Sequence, residues 1–337
     1  MINHDIQIIC PSKFISVQIL RWTKLPSRLV RLQQGFKVIF TAIVAGKAMV
    51  IGMKIAVHAN LTREFAHEVT CNVIKELNKL NAEVLMNREF ELVFSDMEVT
   101  FADDYDAIEF CDVFIVIGGD GTFIHAAQKA AKFDKEILGI NAGNLGFLAG
   151  LEKQELHLLK KLIDGDYTID QRMMICAEHY IDGELKNKYY CLNDAVIARG
   201  NSMRMCDISV SCDGKFVNDY YADGLIFATP TGSTAYSLSS GGPVVDPTLE
   251  CLILTPICTH SLFARSLMFG PDSKLEIKIK NPELCIPLIS CDGKDPIDVE
   301  PGSSFIIRKA GRRSKIIRIK AESFTDVLSK KMIERRV

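Results

Sequence analysis

Val113-Phe114-Ile115-Val116-Ile117-Gly118-Gly119-Asp120-Gly121-Thr122 opens with five apolar residues in a row and ends in a glycine-rich loop. An unbroken apolar run of that length suits a strand buried on both faces, as in a parallel sheet covered by helices. The alanine-rich stretch 123–133 predicts a helix directly after the loop. Residues 118–122 then sit at the carboxyl end of a strand, where open α/β sheets bind ligands. Glycines permit close backbone approach and positive φ. Free amides and the dipole at the start of the next helix favour phosphate oxygens. Thr122 can donate its hydroxyl or cap that helix. Asp120 is out of place in a loop that only binds phosphate, because an acid repels phosphate unless it binds a metal or accepts a proton. Both roles belong to phosphoryl transfer, where the protein supplies positioning, charge neutralisation and a base for the attacking hydroxyl. The plain alternative is a tight Gly-Asp-Gly turn with Asp120 as an ordinary helix cap. No loop ends in Gly-Lys-Ser or Gly-Lys-Thr, which excludes a Walker-type enzyme.

The flanking sequence repeats the strand and helix alternation. Residues 54–57 predict a short buried strand, and Asn60-Leu61-Thr62 offers capping residues for a helix. Leu61, Phe65, Val69, Val73, Leu77 and Leu80 recur every three or four residues as one apolar stripe. Further strands are expected at 84–86 and 137–140. Residues 53–165 therefore predict a doubly wound, Rossmann-like α/β domain. From Tyr167 the character changes to short strands separated by Asp182-Gly183, Asp213-Gly214 and Asp292-Gly293. Asp-Gly suits tight hairpins because both central positions can take positive φ. Residues 166–308 are expected to form a β-sandwich, and 309–337 to return to the first domain through a helix at 324–328.

Composition narrows the class. The 337 residues are 48% hydrophobic and 24% charged, which excludes a disordered or low-complexity chain. A net charge of −2 argues against a broad nucleic-acid surface. No apolar run reaches the roughly 18 residues of a membrane span. The 11 cysteines include no C-x-x-C pair, so a zinc ribbon is unsupported and the thiols read as small core hydrophobes of a reducing, cytoplasmic compartment. Residues 1–52 carry seven basic side chains against one acid, Asp5. That bias fits an extension without a chemical role, or an organelle-targeting leader.

Gly118-Gly119-Asp120-Gly121-Thr122 resembles the signature shared by NAD kinases, diacylglycerol and sphingosine kinases and, more loosely, phosphofructokinases. Three further segments resemble NAD kinases in particular. They are Gly139-Ile140-Asn141-Ala142-Gly143-Asn144-Leu145-Gly146-Phe147-Leu148, then Leu192-Asn193-Asp194, and the long block from Asp223-Gly224-Leu225 through Thr229-Pro230-Thr231-Gly232-Ser233-Thr234-Ala235-Tyr236-Ser237 to Gly241-Gly242-Pro243. The resemblance spans about residues 53–330.

It implies a Rossmann-like domain, a β-sandwich domain and an active site between them. The reaction is ATP + NAD giving ADP + NADP, with phosphorylation of the 2′-hydroxyl of the adenosine ribose and a divalent metal, usually Mg²⁺. The donor is ATP or polyphosphate. Asp120 matches the catalytic base, and Gly118, Gly119, Gly121 and Thr122 shape the phosphate site. Asn193 is assigned to the adenosine part of NAD and Asp194, where many relatives have Glu, to ribose hydroxyls. Thr231 and Thr234 are assigned to adenine, with Phe147 and Ile124 as apolar walls; each of those two also reads as core packing. Ala235 belongs to the same dinucleotide loop, Tyr236 stacks within the site, and Ser239 and Asp223 lie by the nicotinamide half. His260 resembles a loop residue near the nicotinamide, and His125 stands just inside the helix after the glycine loop. No protein metal ligand is assigned. The family forms homodimers or homotetramers whose subunits complete the site, and no nucleic-acid or membrane partner is expected. The competing functions are a diacylglycerol-type lipid kinase, which shares the first motif and a two-domain plan, and a non-catalytic dinucleotide-binding regulator, which has no need of Asp120.

Overall fold

The computed structural model describes residues 52–143, 146–200, 204–260, 265–281 and 285–334, preceded by the backbone of two hairpins, Asp5–Cys10 with Lys13–Gln18 and Thr41–Val44 with Lys47–Val50. The side chains of the basic extension, Asn144-Leu145 and Ser261-Leu262 lie outside the described residues.

Five parallel strands form one end of the large sheet, in the order Glu136–Asn141, Val113–Gly118, Lys54–Ala59, Glu83–Asn87, Thr100–Ala102. Every residue of Val113–Gly118 is buried, as its unbroken apolar run requires. The direction of winding reverses between Lys54–Ala59 and Val113–Gly118. That switch point leaves a crevice at the strand carboxyl ends. Helix Ala66–Lys79 buries Val69, Val73 and Leu77 against the sheet, with Leu61, Phe65 and Leu80 packed beside them. It starts later than Asn60-Leu61-Thr62 predicts. Asn60 Oδ1 accepts hydrogen bonds from the Thr62 amide (3.2 Å) and hydroxyl (2.7 Å), so it closes a turn instead of capping a helix.

The 16-residue strand Ser303–Arg318 joins the two halves. It pairs in parallel with Glu136–Asn141 at Lys315 and Ile316, and antiparallel with Thr168–Ile181 and Leu275–Ile279. The sheet thus continues from a parallel into an antiparallel half. A second, antiparallel sheet of six strands lies across that half, in the order Leu267–Phe269, Leu252–Ile257, Gly224–Ala228, Asp194–Arg199, Pro287–Cys291, Ile297–Asp298. Tyr220 and Phe305 from the large sheet meet Phe227 and Leu254 from the small one in a shared apolar core. The architecture is an α/β sheet followed by a β-sandwich. Helix Phe324–Glu334 closes the described chain. No helix among the described residues is long and apolar enough to cross a membrane.

All three Asp-Gly turns have positive φ at both residues, from 50° at Asp182 to 83° at Gly183. The cysteines depart from expectation at one place. Cys111, Cys176, Cys191, Cys251 and Cys291 are buried thiols, but Cys206 and Cys285 are disulfide-bonded. Their Cα atoms stand 5.5 Å apart, within bridging range, and their 79-residue separation gives no sequence signal.

Candidate active site

The glycine loop crosses the switch point. Gly118 is required for space: a β-carbon there would stand 2.8 Å from Thr122 Oγ1. None of Gly118, Gly119 and Gly121 has positive φ, so close approach and not a left-handed backbone explains these glycines. Asn60 Nδ2 donates to Thr122 Oγ1 at 3.1 Å, and the Asn60 amide donates to the Ile117 carbonyl at 3.0 Å. A β-carbon on Gly119 would lie 3.7 Å from Arg63 Nη2, which places a guanidinium over the loop. Arg63, the loop amides and the dipole of helix Asp120–Lys132 together place positive charge at this corner, an arrangement that favours an anion. Sequence reading took Asn60 for a helix cap and did not single out Arg63.

Asp120 is the first residue of that helix, and Gly119 at the cap position makes no side-chain capping bond. The Asp120 carboxylate turns instead toward the glycine-rich segment. Oδ2 accepts from the Phe147 amide at 2.9 Å and Oδ1 from the Leu148 amide at 3.1 Å. Gly146 completes this cradle, since a β-carbon there would fall 2.3 Å from Asp120 Oδ1. Lys331 of the last helix reaches the same place, with Nζ 3.9 Å from Asp120 Oδ2 and 4.3 Å above the Phe147 ring. The helix-cap alternative is therefore set aside, because the carboxylate does not bond to its own helix.

Leu192-Asn193-Asp194 and the block at 229–237 are stitched together. Thr229 Oγ1 donates to the Leu192 carbonyl at 2.5 Å, and the Thr229 amide donates to the Asn193 carbonyl at 2.8 Å. The Gly232 amide donates to Thr229 Oγ1 at 3.1 Å. A β-carbon on Gly232 would strike the Asn193 carbonyl oxygen at 2.2 Å. Asn193 Oδ1 is buried with no hydrogen-bond partner among the described residues. A buried acceptor left unpaired costs free energy, so it marks a place where a ligand donor fits. Asp194 is 6% exposed. Burial first, and then the charge of Asp292, push its carboxyl up to about 7.

Thr231 is buried and accepts a hydrogen bond from Arg172 Nη1 at 3.2 Å. Arg172 is held by Asp170 through two bonds of 2.8 and 2.6 Å, and Arg318 Nη2 reaches the same carboxylate at 3.2 Å. A cavity of about 410 Å³ opens here, lined by Phe147, Leu148, Arg172, Thr231, Thr234 and Arg318 among others. Phe147 is partly exposed to it, while Ile124, 8% exposed, packs in the α/β core. Tyr236 and Ser239 are exposed on the short helix Tyr236–Ser239 that follows Ala235.

Asp223 is not gathered with these residues. It precedes the five-residue strand Gly224–Ala228, and Thr231 follows that strand. At about 3.3 Å per residue, the two ends stand on the order of 15–20 Å apart. Asp223 Oδ1 instead pairs with Arg199 Nε at 2.8 Å. The His260 amide donates to the Tyr221 carbonyl at 2.9 Å, at the same far end. His125 lies within 3.2 Å of the Asp292 carbonyl through Nε2, on the side of the helix facing the β-sandwich.

Comparison with known proteins bears on the family and the fold. The ATP-NAD kinase N-terminal domain matches residues 32–167 and the ATP-NAD kinase C-terminal domain matches residues 192–319. An NAD kinase of Thermoanaerobacter sp. (strain X514) is 39% identical over 291 residues, covering 84% of this chain and 99% of that one. An NAD kinase of Symbiobacterium thermophilum is 44% identical over 222 residues, covering 66% of this chain and 78% of that one. Yeast NADH kinase, solved with NADH, shares the fold with a TM-score of 0.76 at 21% identity, over 87% of this chain and 89% of that one. An NAD kinase from Archaeoglobus fulgidus, solved with ATP, has a TM-score of 0.65 at 25% identity, over 83% of this chain and 98% of that one. The match runs through both halves of the fold and nearly end to end along the first relative, which sets the lipid-kinase alternative aside. The chain belongs to the NAD kinase family.

Proposed function

We propose that phosphoryl transfer takes place beside Asp120, with ATP as donor and the 2′-hydroxyl of the adenosine ribose of NAD as acceptor. One observation carries this reading. Phe147 and Leu148 donate their amides to the Asp120 carboxylate and also line the cavity that contains Thr231 and Thr234. The base and the adenosine pocket are therefore adjacent. Asp120 takes the hydroxyl proton as the ribose oxygen bonds to the γ-phosphorus and ADP leaves. Gly118, Gly119, Gly121 and Thr122 offer backbone and hydroxyl contacts to phosphates, and Arg63 neutralises their charge. Asn193 Oδ1 accepts from the adenosine part, and Asp194 accepts from two ribose hydroxyls. Thr231, Thr234 and Ala235 flank the adenine opposite Phe147, with Tyr236 stacked beyond.

Magnesium binds through oxygen ligands and usually takes one or two carboxylates plus substrate phosphates. Among the described residues, no group of three or more His, Cys, Asp or Glu comes together to hold a metal. Asp120 is the carboxylate that would hold such a cation together with the triphosphate, and the cation would supply charge neutralisation there. Ser239 lies by the nicotinamide half. Asp223 and His260 serve the same half from a second copy of the chain, in a homodimer or homotetramer, because within one chain they stand at the far end of strand Gly224–Ala228 from Thr231. Full activity from a species that sediments as a monomer would count against this assembly.

Purified chain given NAD, ATP and Mg²⁺ is expected to form NADP; failure to do so, with NAD still bound, would leave a dinucleotide-binding protein. NAD recognition is also expected to depend on pH. Asp194 must lose its proton to accept two ribose hydroxyls, and its carboxyl titrates near 7. KM for NAD should fall about tenfold per pH unit on the acid side of that value and level off above it. The sign is opposite for the fold. A carboxyl raised above its ordinary value of about 4 stabilises the folded state at lower pH, and that contribution is lost as pH climbs through about 7. Asp194→Asn serves as the flat reference; an equally steep KM profile in that variant would refute the assignment.

A further inference from the structure

Asp292 is one of three aspartates in Asp-Gly turns, and it differs from the other two. Asp182 and Asp213 are exposed at hairpin tips, and the Asp213 carboxylate accepts one backbone amide, that of Lys274 at 3.0 Å. Asp292 is 7% exposed and its carboxylate is fully engaged. Oδ2 accepts from the Leu192 amide at 2.7 Å and from Gln128 Nε2 at 2.5 Å. Oδ1 accepts from the Asn193 amide at 2.8 Å and the Asp194 amide at 3.0 Å. The Asp292 amide donates back to the Asp194 carbonyl at 2.9 Å. Three consecutive amides converging on one carboxylate curl the backbone at 192–194 into a nest. Turn formation needs none of this. Burying a carboxylate beside another acid is costly, and its four acceptor bonds offset part of that cost.

The fourth bond connects two parts of the site. Gln128 belongs to helix Asp120–Lys132, whose first residue is the base. Lys294, two residues past Asp292, donates Nζ to Gln128 Oε1. Gln128 and the 192–194 turn are 64 or more residues apart in the chain, yet they meet on one carboxylate, where Gln128 shares Oδ2 with the Leu192 amide. We propose that Asp292 is a positioning residue, which sets the placement of the dinucleotide-binding turn relative to the helix that carries Asp120. The inference rests on the phosphotransfer reading above. In such a reaction a displacement of about 1 Å between acceptor and base costs on the order of 10²-fold in rate.

The test is Asp292→Asn in the full chain, beside Gln128→Ala. Asparagine keeps one acceptor for the Asn193 and Asp194 amides but points an amide at the Leu192 N–H and removes the charge. Asp292→Asn is expected to lower kcat/KM for NAD about 10–100-fold with KM for ATP unchanged. It should also move the acid limb of the NAD profile to lower pH, because Asp194 loses its charged neighbour. The other titratable groups facing this pair are the thiols of Cys191 and Cys291 and the imidazole of His125. Gln128→Ala leaves the three amide bonds in place and should lower kcat with little change in KM for NAD. A residue needed only for folding would reduce the folded fraction and leave KM and the pH midpoint where they were; that result overturns the proposal. If Asp292→Asn does not fold, wild-type kcat in Gln128→Ala overturns it equally. Should the wild type make no NADP, the phosphotransfer reading fails by itself. NAD affinity of Asp292→Asn measured by calorimetry then still tests the hold on the 192–194 turn, and an unchanged affinity refutes it.

Discussion

Asp120→Asn is expected to abolish most NADP formation while NAD remains bound. General-base assistance is worth about 10²–10⁴ in rate, or roughly 3–5 kcal/mol of barrier, and the amide cannot take up the hydroxyl proton. The substitution is nearly isosteric, so the cradle should persist: the Asn carbonyl oxygen can still accept from the Phe147 or Leu148 amide, now 2.9 and 3.1 Å from the carboxylate. None of the adenosine contacts proposed for Asn193, Asp194 or Thr231 is removed. Steady-state kinetics with NAD calorimetry on the same preparation gives the answer. A kcat within about threefold of wild type would show that the proton leaves by another route, and Asp120 would then be a structural clasp for residues 146–148.

Gly232→Ala is expected to be nearly as damaging, through binding. Its β-carbon would meet three backbone atoms of Asn193 at 2.2, 2.6 and 2.8 Å. No rotamer change relieves a contact with main chain. Either the 229–234 loop or the Asn193 turn must move, breaking the 2.8 Å bond between the Thr229 amide and the Asn193 carbonyl. Overpacking of this kind costs about 1–3 kcal/mol in stability. The larger effect falls on KM for NAD, which should rise by about 10²-fold because both segments proposed to bind adenosine are displaced together. Urea unfolding and KM measured on one preparation separate the two effects. A variant that loses stability but keeps its KM would mean that this contact braces the fold without shaping the dinucleotide site.

The parts legible in the sequence are those with a local physical cause. Residues 113–117 are uniformly apolar because both faces of their strand are covered. Asp182-Gly183, Asp213-Gly214 and Asp292-Gly293 announce turns because two successive positive φ angles are tolerated best by these residues. The glycine loop was readable as the link from a buried strand to a helix, because five apolar residues precede it and an alanine-rich run follows. Its glycines were partly misread: Gly118 is there for room beside Thr122 and not for positive φ. The capping pattern at Asn60 was misread for a similar reason. Its side chain bonds to Thr62 and Thr122, and the second of those partners is 62 residues away.

Local pattern reached as far as the fold class, the order of its elements and the identity of the motifs, because burial, helix period and turn angles act over a few neighbouring residues. The meeting of those motifs depends on long-range register. Strand Ser303–Arg318 lies against Glu136–Asn141 on one edge and Leu275–Ile279 on the other, which brings the parallel and antiparallel halves into one sheet. That register sets Asp120 against residues 146–148, Thr231 against Arg172, and Leu192-Asn193-Asp194 on the Asp292 carboxylate 98 to 100 residues further along the chain. None of these pairs has a characteristic spacing. Each exists because sheet hydrogen bonding and a shared apolar core leave the chain one way to pack.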